Sequence, residues 1–121
     1  YLLVGLIAAA THVALNPAST VPTIGASGAV SGVLGAYLVL FPHARVKTLV
    51  TFGWFFTFAH LPAWILLIVW ITLQFIAQTF APMDPNAAGV AYAAHIGGFA
   101  AGVALIFPFR KYRRRSRFRY R

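Results

Sequence analysis

Gly25-Ala-Ser-Gly-Ala-Val-Ser-Gly-Val-Leu-Gly-Ala36 is the stretch whose reading decides the fold. Gly28, Gly32, Gly35 and Ala36 fall at helical intervals inside an apolar segment. Small residues at such intervals let two helix backbones approach closely, and close approach is what drives helix association in lipid. A matching face follows downstream, in which Ala91, Ala94, Gly98 and Gly102 recur through Ala94-His-Ile-Gly-Gly-Phe-Ala-Ala-Gly102. Each face borders one residue able to do chemistry, Ser27 on the first and His95 on the second. A hydroxyl and an imidazole inside a membrane are a candidate nucleophile and base.

Composition supports the bilayer as solvent. Of 121 residues, 60% are hydrophobic and 9% charged, and the mean hydropathy is +0.78. A soluble domain of this size needs far more charge on its surface. The absence of cysteine excludes disulfides and thiolate metal sites. His12, His43, His60 and His95 lie far apart with no HxxxH or HExxH spacing, which makes a poor metal set. No metal or cofactor is expected. Tyr1 stands within an apolar run with no initiator Met and no basic flank, so the expectation is a fragment cut inside a transmembrane helix rather than a signal peptide.

The net charge of +9 suggests nucleic acid until its location is considered. Arg45 and Lys47 form one small cluster, and the other eight basic residues all lie in Arg110–Arg121. The sole acid, Asp84, lies between the clusters. Positive residues collect on the cytoplasmic side of membrane proteins. Both clusters are therefore assigned to the cytoplasm and Asp84 to the opposite face. The tail is expected to meet anionic lipid headgroups rather than nucleic acid.

A helix needs about 20 apolar residues to cross the hydrocarbon. The pattern predicts helices over about 1–15, 24–41, 61–80 and 89–109, with a basic cytoplasmic tail over 110–121. The expected fold class is an all-α membrane protein, a polytopic helix bundle truncated at its N-terminus. Asn16–Pro22 and Ala81–Asn86 carry turn residues and prolines and read as loops. The apolar run Thr48–Phe80 is too long for one span and too short for two. His60-Leu61-Pro62 offers a break, because proline disfavours helix in the residue before it. Thr48–Ala59 would span only about 18 Å as a helix, so it reads as an embedded or interfacial connector.

With both basic clusters on one side, the second and fourth helices must each begin outside. Ser27 then lies near the outer end of one helix, and His95 roughly 9 Å down from the start of the other. The two residues come out at similar depth on the same face of the membrane. If the glycine faces meet, Ser27 Oγ and a His95 ring nitrogen should come within about 4 Å. The start of the second helix also presents free backbone N–H groups, which favour developing negative charge. The N–H groups of Ser27 and Gly28 are thus a partial oxyanion site. Asp84 lies in a loop and there is no glutamate, so a Ser–His dyad is the most this chain can assemble. Ser31, one turn below Ser27, reads as a packing or hydrogen-bonding residue. Gln74 and Gln78 read as hydrogen-bonders between helices, and Trp54, Trp64 and Trp70 as aromatic anchors or lipid-facing bulk.

Gly25-Ala-Ser-Gly28, its continuation Ala-Val-Ser-Gly-Val-Leu-Gly-Ala-Tyr37, and Ala94-His-Ile-Gly-Gly-Phe-Ala-Ala-Gly102 together resemble the rhomboid intramembrane serine proteases. Leu40-Phe-Pro-His-Ala-Arg-Val46 and Leu61-Pro-Ala-Trp64 extend the similarity over nearly the whole chain except the tail. The resemblance implies a six-helix core of which this chain supplies the last four helices. It implies a serine endopeptidase with Ser27 as nucleophile and His95 as general base and acid, acting on single-pass transmembrane substrates at the outer face of a cell membrane. It also implies that the helix 61–80 is a lateral gate and that no cofactor is used. Gly28, Gly32, Gly35, Gly98 and Gly102 are the expected packing positions. The family's second helix brings His and Asn side chains to the oxyanion, and these are expected from sequence preceding Tyr1. Rhomboids often place an aromatic one turn after the serine, stacked on the histidine, whereas here that place is Ser31. The alternative is a non-catalytic rhomboid-like protein that binds membrane clients. Such relatives usually lack the Ser or the His, and this chain keeps both.

Overall fold

The computed structural model describes residues 1–80 and 90–110. The elements in order are α1 (Leu2–Leu15), α2 (Ser27–Leu40), β1 (Arg45–Phe52), β2 (Phe55–Pro62), α3 (Ala63–Thr79) and α4 (Tyr92–Arg110). The expected loop at Ala81–Asn86, Asp84 within it, and the tail beyond Arg110 lie outside the described residues.

Among the described residues four helices form where the hydropathy pattern placed helices, but the segment Thr48–Ala59 is not helical. It lies in an antiparallel hairpin, with Arg45 opposite Pro62 at the base and Phe52 opposite Phe55 at the tip. The all-α expectation is corrected here, and the reason is local. Val46, Thr48, Val50 and Thr51 on one strand, and Phe55, Phe56, Thr57 and Phe58 on the other, are the β-branched and aromatic types that suit a pleated surface. Gly53 takes φ +59° at the first position of the two-residue loop Gly53-Trp54. A glycine there is the pattern of a type II′ hairpin turn. Among the described residues the two strands are joined only to each other.

The helix starts also move. α2 begins at Ser27 rather than near Ile24, because Gly25 turns the chain with φ +125° just before it. α3 begins at Ala63 because Leu61 and Pro62 belong to β2. Carbonyls of the α2–β1 link accept its first free N–H groups, Ala63 N–H to Ala44 O at 2.8 Å and Trp64 N–H to Pro42 O at 3.0 Å. These bonds pin the start of α3 to the end of α2.

Among the described residues one helix, Tyr92–Phe109, is long and apolar enough to cross a membrane by length and composition. α1 and α2 have 14 residues each and α3 has 17. At 1.5 Å per residue they extend about 21 and 26 Å against roughly 30 Å of hydrocarbon.

α2 and α4 run parallel and form the closest pair, with Gly28 against Ala94, Gly32 against Gly98 and Gly35 against Phe99. α1 runs the other way, bringing Ala8 to Gly28 and Val4 to Gly32. α3 is antiparallel to α4, with Trp70 beside Phe99 and Gln74 beside His95. Successive helices therefore alternate in direction. The interior is built mainly of small residues, including Ala8, Ala29, Ser31, Ala93, Ala94 and Ala101, while Leu2, Leu3, Leu6, Ile68, Val69 and Phe107 face outward. In water such a surface would aggregate. In lipid the outward leucines cost nothing, and the small interior residues supply the contact.

Candidate active site

The two glycines around Ser27 serve different ends. Gly25 supplies a backbone conformation that side-chain-bearing residues rarely adopt, and so sets where α2 starts. Gly28 supplies room, since a Cβ there would stand 2.8 Å from Ala8 Cβ and 3.4 Å from Ala94 O. Ser27 is thereby the first residue of α2, at the mouth of a seam where α1 and α4 come close. The first i→i−4 bond of this end is Val30 N–H to Ala26 O at 3.0 Å. The N–H groups of Ser27, Gly28 and Ala29 precede it and have no intrahelical acceptor, and no side chain caps the helix. They are oriented donors at the positive end of the helix dipole, beside the Ser27 hydroxyl.

His95 is the fourth residue of α4, so it lies about 4.5 Å along the helix rather than the expected 9 Å. Ser27 Oγ and His95 Nε2 are 2.8 Å apart. The pair joins an exposed hydroxyl to an imidazole only 9% exposed. An accessible nucleophile beside a sheltered base is the arrangement acyl transfer needs.

The other ring nitrogen meets a residue whose partner was not legible from the sequence. His95 Nδ1 lies 2.8 Å from Gln74 Oε1 on α3. An amide oxygen only accepts, so Nδ1 carries the ring proton. Nε2 of the neutral ring is then the acceptor, and the Ser27 O–H donates to it. The result is a chain of three, Ser27–His95–Gln74, where a dyad was expected. Gln78, one turn further along α3, bonds no other described side chain. The pairing of the two glutamines at one-turn spacing suggested a bond between helices, but nothing in that spacing distinguishes which amide meets the histidine.

Two further residues hold the imidazole. Ser31 is 1% exposed, and its hydroxyl lies 2.7 Å from Gly28 O and 2.9 Å from His95 O, donating between the two carbonyls. It ties α2 to α4 beside the histidine through the backbone. The aromatic that Ser31 does not provide comes from α3. The Trp70 ring centroid is 5.9 Å from that of His95, tilted by 36°, and Trp70 also contacts Phe99 at 6.1 Å. Trp70 is thus neither a membrane anchor nor wholly lipid-facing. Trp54, at 89% exposure, and Trp64 remain on the outside.

The downstream glycines complete the seam. A Cβ on Gly32, Gly35, Gly98 or Gly102 would meet, respectively, Val4, the Phe99 carbonyl, the Gly28 carbonyl and the Gly32 carbonyl. His12 lies in the last turn of α1, where its carbonyl accepts from Asn16 Nδ2 at 3.0 Å, His43 lies in the α2–β1 link, and His60 sits in β2 opposite Lys47. None of the three shares a hydrogen bond with Ser27 or His95.

Residues 1–112 match the family model described as Rhomboid domain. No curated protein and no solved structure matches the chain.

Proposed function

Because the chain belongs to the rhomboid family, which includes intramembrane serine proteases, we propose that it forms the catalytic part of a serine endopeptidase cleaving transmembrane-helix substrates. The observation that carries this reading is the 2.8 Å contact between Ser27 Oγ and His95 Nε2, with Nδ1 held by Gln74. His95 takes the Ser27 proton as Oγ attacks the scissile carbonyl. The carbonyl oxygen, now negatively charged, lies against the free N–H groups of Ser27 and Gly28. The imidazolium returns its proton to the leaving amine, and water activated by the same nitrogen then hydrolyses the acyl-enzyme.

In this reading the helices cross a cell membrane, the site faces outward, and the basic tail meets anionic headgroups on the cytoplasmic side. The test is cleavage of a single-pass reporter substrate by the full-length protein in proteoliposomes. Wild type cuts, while Ser27→Ala and His95→Ala do not. A wild type that binds the reporter without cutting it would establish the client-binding alternative instead.

A further inference from the structure

The gap in the expected site is an orienting group for His95. The chain has a single acid, Asp84, and no glutamate. The described structure fills the gap with a neutral amide, Gln74 Oε1 at 2.8 Å from Nδ1. Trp70 lies four residues earlier on the same face of α3, with its ring beside the imidazole. One helix therefore supplies both the in-plane partner of Nδ1 and an aromatic neighbour of the ring.

We propose that Gln74 is the positioning residue of His95, fixing the proton on Nδ1 so that Nε2 stays unprotonated and aimed at Ser27. This inference rests on the protease reading above. Without an acceptor at Nδ1, an imidazole populates both tautomers and can rotate about its side-chain torsions. The Nε2–H tautomer has no lone pair facing Ser27 and cannot take its proton. A carboxylate in this place would also stabilise the imidazolium. The amide fixes the tautomer without adding a full charge, which suits a site in an apolar bundle where an unpaired carboxylate is costly to bury.

The placement makes the site depend on how α3 is seated. α3 is pinned at its start by the bonds to Pro42 and Ala44 and meets the rest of the bundle mainly through α4. Gln74 lies twelve residues into this 17-residue helix, about 16 Å from the pinned end. A tilt of α3 about that end would withdraw Gln74 and Trp70 together while leaving Ser27 and His95 on the tightly joined α2–α4 pair.

The experiment compares Gln74→Leu and Gln74→Glu in the full-length protein over a pH series. Gln74→Leu should lower kcat about tenfold or more with KM little changed, tenfold being about 1.4 kcal/mol of transition-state stabilisation. Gln74→Glu keeps an acceptor at Nδ1 and should hold kcat within a few-fold of wild type. Its negative charge favours the imidazolium, so the acid limb of the pH–rate profile should move up by about one unit. A carboxylate that does not face Nδ1 would move that limb by less. Wild-type kcat in Gln74→Leu together with an unshifted profile in Gln74→Glu, while Ser27→Ala is inactive, would overturn the positioning role and leave the Ser27–His95 assignment standing. If the wild type proves inactive, nitrogen NMR of the His95 ring decides the matter separately. A proton on Nδ1 in wild type that redistributes in Gln74→Leu supports the role, and one that is absent in wild type or unmoved by the substitution overturns it.

Discussion

Gly102→Ala adds one methyl group at the point where α4 lies closest to α2. The new Cβ would fall 2.5 Å from the Gly32 carbonyl carbon and 2.7 Å from its Cα, and closer still to its oxygen. Ordinary contact begins near 3.4 Å. All three neighbours are backbone, so no side chain can rotate away, and the helices must part by at least about 1 Å. A gap of that size forfeits roughly a quarter to a half of each dispersion contact it opens. Overpacking of a closed interface costs about 1–3 kcal/mol, and a backbone-to-backbone clash belongs at the upper end, near 3 kcal/mol. Equilibrium unfolding in mixed micelles, followed by tryptophan fluorescence, reads this loss. Gly5→Ala is the internal control, since its Cβ would meet only Ala29 Cβ at 3.3 Å, a shortfall of about a tenth of an ångström. Its expected cost is about 0.5 kcal/mol or less. Gly102→Ala unfolding within about 0.5 kcal/mol of wild type would show that α2 and α4 do not touch here, and the argument for the seam would fail.

Ser31→Ala removes the hydroxyl shared by the Gly28 and His95 carbonyls. It should destabilise by about 1 kcal/mol and leave measurable activity, and a complete loss of activity in a folded Ser31→Ala protein would contradict a purely structural role. Gly25→Ala places a side chain at φ +125°, so the start of α2 should shift and activity should fall by more than stability does, which turnover and unfolding measured side by side would reveal. Gly53→Ala has open space around it but keeps φ +59°, and should cost only about 1 kcal/mol of hairpin strain with no change in the rate of cleavage.

How much of this was legible in the sequence depended on which interactions repeat. The glycine faces recur at helical intervals, so a seam between α2 and α4 could be expected before any coordinates, with Ser27 beside His95 if the two faces met. The charge map added only the expectation that the two lie at similar depth. The hairpin was not legible from hydropathy, because Leu49, Val50, Phe52, Phe55, Phe56 and Phe58 put apolar side chains on both faces. The signal lay instead in the β-branched and aromatic types flanking Gly53-Trp54. The start of α2 was misplaced by about three residues because a positive φ at Gly25 leaves no mark in composition. Gln74 was recognised as a polar residue between helices, but its partner depends on the rotation of α3 about its axis, which two glutamines at one-turn spacing do not determine. The inward turn of Trp70 was not legible for the same reason, and the aromatic that the family often places on the serine's helix is supplied here by α3.

The central claim is that His95 activates Ser27 as a nucleophile. The most direct measurement is labelling of the full-length protein with a fluorophosphonate, followed by mass spectrometry of the modified peptide. The account predicts a single adduct on the Ser27 hydroxyl, abolished in Ser27→Ala and strongly reduced in His95→Ala, with Ser31 unmodified throughout. Labelling that persists in folded Ser27→Ala protein, or that is indifferent to His95→Ala, would contradict it.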